Sequence, residues 1–241
     1  MTELLKEIKK ELLKNIDKEY KINVQKFFRN PIKLHGVKTP TVRKISKQYY
    51  KQIKHLPKKE LFDLCEELLE NKMAEETTIA FAWVQFRYNE LTPKDFPRFE
   101  RWLKKYVTNW SDCDDFCTHA LGHLIWKYPE LITKTKPWRT SKNRWLRRAS
   151  AVIFVHQVWS HMKIDKKIFL KNIFETADTL LLDQDDLVQK GYGWMLKVAT
   201  DHFPGEVFQY VLKYKDKMPR TALRYAIEKL PKEMKITAMK K

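Results

Sequence analysis

The chain has 241 residues, room for one large domain with a substantial core or for one extended repeat array. A 43% hydrophobic content excludes a disordered chain, and 5 glycines with 10 prolines are thin punctuation for an all-β protein rich in tight turns. Lys and Arg number 48 against 30 Asp and Glu, and the resulting charge of +18 points to a polyanionic partner, although a merely soluble basic protein would carry it too.

The first twenty residues alternate lysine and glutamate among leucines. Leu4, Leu5, Ile8, Leu12 and Leu13 share one helix face, with Lys6, Lys9 and Lys10 opposite. This is an amphipathic helix without the apolar stretch of a signal peptide. No later run approaches the roughly 18 apolar residues that span a bilayer. The chain is therefore read as cytoplasmic (nucleoid-associated in a prokaryote), with no membrane partner. Cys65, Cys113 and Cys117 are too few and odd in number for a disulfide framework.

Leu61, Leu64, Cys65, Leu68 and Leu69 repeat the helical spacing after Pro57, which suits a helix's first turn. Similar blocks follow Pro93, Pro129, Pro204 and Pro219. Paired, they give units near 57–89, 92–126, 129–161, 165–200 and 204–230, a period of roughly 35 residues that fits helical-hairpin repeats. An irregular α-bundle is the other reading of that pattern. No low-complexity linker divides the chain, so residues 1–241 are read as a single domain.

The segment 109–123, NWSDCDDFCTHALGH, is the most unusual. Cys113, Cys117, His119 and His123 have the types of a zinc site. On a continuous helix turning about 100° per residue, however, the cysteines face away from the histidines. No metal is expected, and the cysteines read as small apolar core groups. Ser111 is a candidate helix cap with Asp114 completing a capping box. Asp115 is not needed for capping. A carboxylate beside a tryptophan in a basic groove suits a reaction that develops a sugar cation, since the carboxylate opposes the charge and orients water.

Further on, Arg144, Arg147 and Arg148 share one helix face beside Trp145 and form a candidate phosphate grip. Each also reads as part of a solvated basic face. In QKGYGWMLK at 189–197, Trp194 sits between Lys190 and Lys197 behind two glycines that admit close approach of a backbone or ligand. The bland reading of Trp194 is a core anchor.

Together HGVKTPTVR at 35–43, NWSDCDDF at 109–116, NRWLRRA at 143–149 and QKGYGW at 189–194 resemble, in order and spacing, the AlkD-like DNA alkylation repair family. The resemblance implies an all-α, curved right-handed solenoid of antiparallel HEAT-like repeats. It implies a monofunctional glycosylase that hydrolyses the N-glycosidic bond of cationic N3- or N7-alkylated purines without base flipping, lyase activity or cofactor. The partner would be double-stranded DNA containing alkylated bases, bound by a monomer. By position, Asp115 matches the catalytic aspartate, Trp194 the downstream cleft tryptophan and Arg148 the backbone arginine. Lys197 falls at another basic position, and Lys38 and Thr39 lie in the matching loop. The family's other cleft tryptophan falls at Ser111, with Trp110 as its neighbour. That departure leaves open a non-catalytic module for damaged or branched DNA. A repeat scaffold for an acidic protein is the third reading.

Overall fold

The computed structural model describes residues 3–155 and 165–240, and every regular element among them is helical. The chain divides into two compact units, Met1–Ala120 and Leu121–Lys241.

In the first unit the helices are α1 (Glu3–Lys14), α2 (Lys18–Gln25), α3 (Thr39–Ile53), α4 (Lys58–Glu70), α5 (Ala74–Phe86), α6 (Phe96–Lys105) and α7 (Trp110–Thr118). Alternate helices touch: α1 packs on α3, α3 on α5, and α5 on α7. The helices between them make a second row, where Phe62 of α4 meets Phe99 and Trp102 of α6 at 5.8 and 5.9 Å. The rows join where Phe116 of α7 lies 5.3 Å from Phe99 and stacks on Phe81 at 4.4 Å. Two-row alternation of this kind is how helical hairpins bury faces that no hairpin buries alone. Its central helix has neighbours on several sides, which explains why α5 is apolar nearly all round beyond its first turn. There Ile79, Ala80, Phe81, Trp83 and Val84 are sealed from solvent.

The second unit contains α8 (Ala120–Lys127), α9 (Ile132–Thr135), α10 (Arg144–Val152), α11 (Lys166–Leu180), α12 (Asp186–Ala199), α13 (Pro204–Tyr214), α14 (Arg220–Ala226) and α15 (Lys232–Met239). The same alternation recurs, α10 on α12 on α14, with α11, α13 and α15 beside them. Tyr210 of α13 stacks on Phe174 of α11 at 4.7 Å and donates its hydroxyl to Asp178 at 2.9 Å.

The units expected at 57–89, 165–200 and 204–230 are the helix pairs α4/α5, α11/α12 and α13/α14. The unit expected at 92–126 holds three helices, because a break at His119 separates α7 from α8. The tail of the unit at 129–161 lies outside the described residues. The prolines do punctuate, although Pro57 is the residue before its helix and not in the first turn.

Two glycines explain the spacing of α10, α12 and α14. A Cβ on Gly191 would lie 3.2 Å from Cγ of Arg148 on α10. One on Gly193, almost opposite on the α12 surface, would lie 2.7 Å from Cβ of Tyr225 and 2.8 Å from the Ala222 carbonyl oxygen of α14. The close approach read from the sequence is thus made by neighbouring helices. Alanine at 193 gains about 1 kcal/mol of helix propensity but forces α14 away, an overpacking that costs about 1–3 kcal/mol. A net loss near 1 kcal/mol is expected for Gly193→Ala, read as a thermal midpoint lowered by a few degrees. Gly205→Ala, where a Cβ meets nothing within 4 Å, serves as the control and should not destabilise. Equal midpoints for the two variants would refute this packing account.

Candidate active site

In the first unit the 35–43 motif is a loop leading into α3, and one buried carboxylate holds it. Glu75 Oε1 accepts the backbone N–H groups of Gly36 at 2.7 Å and Val37 at 3.0 Å, and its Oε2 accepts that of His35 at 2.9 Å. The His35 ring lies 3.0 Å from Glu76, which also takes a 2.6 Å bond from Asn71. Gly36 has φ +103°, and a Cβ there would stand 2.7 Å from Cβ of Lys21, so only glycine fits. The loop delivers two residues named from the sequence. Lys38 caps α3 by position and pairs with Asp17 at 2.9 Å, which raises its pKa. Thr39 is exposed, its hydroxyl 3.4 Å from that of Tyr20.

Helix α7 begins two residues earlier than the capping-box reading allows. Its cap is Asn109, whose side chain accepts the Asp112 N–H at 3.0 Å and donates to Asp112 Oδ2 at 2.6 Å. Asparagine suits this position because its carbonyl oxygen reaches the third helical amide while its NH2 remains available to a carboxylate. Ser111 is consequently inside the first turn and exposed. Trp110 opens the helix, stacks on Phe28 at 5.3 Å and points its indole N–H toward the Phe27 carbonyl at 3.4 Å. A cavity of about 100 Å³ lies between the two motifs, with Val37 and Thr39 on one wall and Asn109, Ser111 and Asp112 on another.

Two carboxylates of α7 occupy different environments. Burial pushes the Asp112 carboxyl up to about 7, the nearby charge of Asp115 adds to the shift, and the Asn109 bond opposes it. Asp112 is therefore expected to titrate near neutrality in a carboxyl-carbon NMR series, and to titrate lower in Asp115→Asn. Because its folded value lies above the ordinary one, the associated stability is complete below about pH 4 and is lost as pH rises through 7. A midpoint near 4 in the native protein would contradict the burial assigned to it.

Asp115 is part-exposed, its side chain 27% accessible, and its Oδ1 lies 3.1 Å from Nδ1 of His119. That hydrogen bond, with the charge behind it, raises the His119 pKa above the ordinary imidazole value. His119 has φ −122° and ψ −97°, which ends α7. The continuous helix assumed in the sequence argument about zinc is thus interrupted. Cys113 and Cys117 are both fully buried on its core side.

In the second unit, Asn143 caps α10 by accepting the Trp145 N–H at 2.9 Å. The arginines that follow are engaged by the turn before α12. Arg144 pairs with Asp185, itself the cap of α12, and its guanidinium lies over Trp145 at 5.8 Å. Arg147 grips Asp183 at 2.6 and 3.3 Å and donates to the Ser141 carbonyl at 2.8 Å. Arg148 is 5% exposed and donates Nη1 to the Leu187 carbonyl, its aliphatic stem lying on Gly191. The grip inferred from i, i+3, i+4 spacing therefore fastens α10 to the start of α12. Lys190 pairs with Asp186 at 3.3 Å and Lys197 with Glu228 at 2.6 Å. Trp194 is half-buried on α12.

The sequence reading missed Glu75, Glu76, Asp183 and Asp185. A signal existed for the first pair, two acids opening an otherwise apolar helix, since buried charges of that kind have partners.

A family model described as DNA alkylation repair enzyme matches residues 8–230. A solved structure described as a predicted DNA alkylation repair enzyme from Enterococcus faecalis is similar in fold, with a TM-score of 0.77. That likeness covers 90% of this chain and 98% of the other at 15% identity. No curated protein matches the chain.

Proposed function

Because the chain belongs to the DNA alkylation repair enzyme family, we propose that it is a monofunctional glycosylase releasing cationic N3- and N7-alkylated purines from double-stranded DNA. The observation that carries this reading is Asp115, a part-exposed carboxylate 3.1 Å from an imidazole nitrogen and one helical turn from the exposed Ser111, in a chain of charge +18. Alkylation at N3 or N7 already places positive charge on the purine, so the base leaves without being protonated. The enzyme then needs to stabilise the sugar cation and place a water, and an anionic Asp115 can do both.

In this reading Trp110 supplies an aromatic face to the deoxyribose and its developing charge, and Trp194 of the second unit is an aromatic contact for the DNA. In the second unit Arg144, Arg147, Lys190 and Lys197 exchange their carboxylate partners for backbone phosphates while the buried Arg148 holds α12 in place, and in the first unit Lys38 does the same, with Thr39 as a polar contact. Leaving the base in the duplex removes the need for a pocket that reads an extruded base. None of these steps calls for a cofactor, and no lysine is assigned a Schiff-base role.

A time course of base release from DNA carrying N3- and N7-methylpurines tests the proposal. Release of free methyladenine supports it. Salt-sensitive DNA binding without release favours instead a non-catalytic module, which Ser111 in place of an aromatic would suit.

A further inference from the structure

We propose that His119 is the positioning residue of Asp115, a proton-carrying clamp that fixes its carboxylate and sets the net charge it presents. This rests on the reading of Asp115 as the reacting carboxylate.

The geometry fixes the proton. Nδ1 of His119 lies 2.9 Å from the main-chain carbonyl of Asp115 and 3.1 Å from its carboxylate. The Thr118 hydroxyl is 3.3 Å from the same nitrogen, and it donates elsewhere, to the Asp114 carbonyl at 2.7 Å. Nδ1 is thus surrounded by oxygens that accept, so it carries hydrogen in both the neutral and the cationic ring. A neutral imidazole donates this bond and leaves the pair with one negative charge. A protonated ring makes the pair neutral overall and removes most of its pull on a developing sugar cation.

The i, i+4 spacing sets the imidazole over Asp115. With φ −122° and ψ −97°, His119 ends α7 at this point. Its side chain is 37% accessible, open enough to exchange protons with solvent. The charges bearing on it are Asp115 on α7, which favours protonation, and Arg43 on α3, which opposes it. Asp112 and Asp114 precede Asp115 on the same helix, and His123 lies four residues beyond His119 along the chain. The first influence is the larger, so the ring holds its second proton above the ordinary imidazole range. Base release is therefore expected to rise with pH as this proton leaves, then level off.

The experiment combines ring titration with pH–rate profiles for the wild type, His119→Ala, His119→Asn and Asp115→Asn. By NMR without DNA, the His119 midpoint should stand above 6.5 and fall in Asp115→Asn. His119→Ala should lose about tenfold to a hundredfold in kcat with little change in KM for alkylated DNA, a positional effect. His119→Asn, whose NH2 can take the place of Nδ1–H, should recover much of the rate and show no titration in this range. A wild-type rate and pH profile in His119→Ala, beside an inactive Asp115→Asn, overturns the clamp and leaves the glycosylase reading standing. Absence of release by the wild type overturns both.

Discussion

Asparagine at position 115 is expected to cut the release of N3- and N7-methylpurines by about 10²–10³-fold, the range for removing one electrostatic contact to a developing charge. The substitution conserves volume and keeps an oxygen facing Nδ1 of His119, so the helix end should survive. It also removes the like charge that raises Asp112, which favours the folded state slightly if anything. A change in rate with unaltered circular dichroism, thermal midpoint and affinity for undamaged DNA would place the loss in the transition state. Equal release by Asp115→Asn and wild type would remove this carboxylate from the reaction.

Glu75→Ala should produce the largest loss of stability among the single changes considered. Three backbone amides, those of His35, Gly36 and Val37, would be left in a buried site without an acceptor. At about 1–3 kcal/mol for each orphaned group, and short of full additivity, the loss comes to roughly 3–6 kcal/mol. For a chain of this length the thermal midpoint should drop by about 10 °C or more. Glu75→Gln keeps one acceptor oxygen, enough for Gly36 and Val37, and turns an NH2 toward His35; its loss should be markedly smaller. Amide hydrogen exchange at residues 35–37 should accelerate in Glu75→Ala far more than exchange in the core of α5. Midpoints for Glu75→Ala within a degree or two of wild type would show that the loop is held by something else.

The all-helical class and most hairpin boundaries were legible in the sequence because apolar spacing and proline position are local signals. Helix caps were less so. Ser111 and Asn109 are both good caps, and only the partner at Asp112 decides between them. The break at His119 was not legible either, since residues 119–123 contain nothing that forbids a helix. The arginine face shows the deeper limit. Spacing correctly places Arg144 and Arg147 together, but says nothing of Asp183 and Asp185, which arrive from some forty residues away and take up their guanidiniums. Pairing across such distances is a property of tertiary contact. Glycine has a similar ambiguity: QKGYGW announces that something comes close, and only the coordinates identify Arg148 and Ala222 as what does.

Those two glycines also limit how interchangeable the repeats are. Helices in a regular array can often be grafted from one position to another, because each meets its neighbours through similar side-chain layers. α12 is cut to two different profiles, a shallow notch for an arginine stem at 191 and a deeper one for a main chain at 193. A generic repeat helix transplanted into this slot would wedge α10 and α14 apart, and α12 moved elsewhere would leave gaps on both flanks. Shuffling or consensus averaging of this array should therefore succeed at other helices before it succeeds at this one.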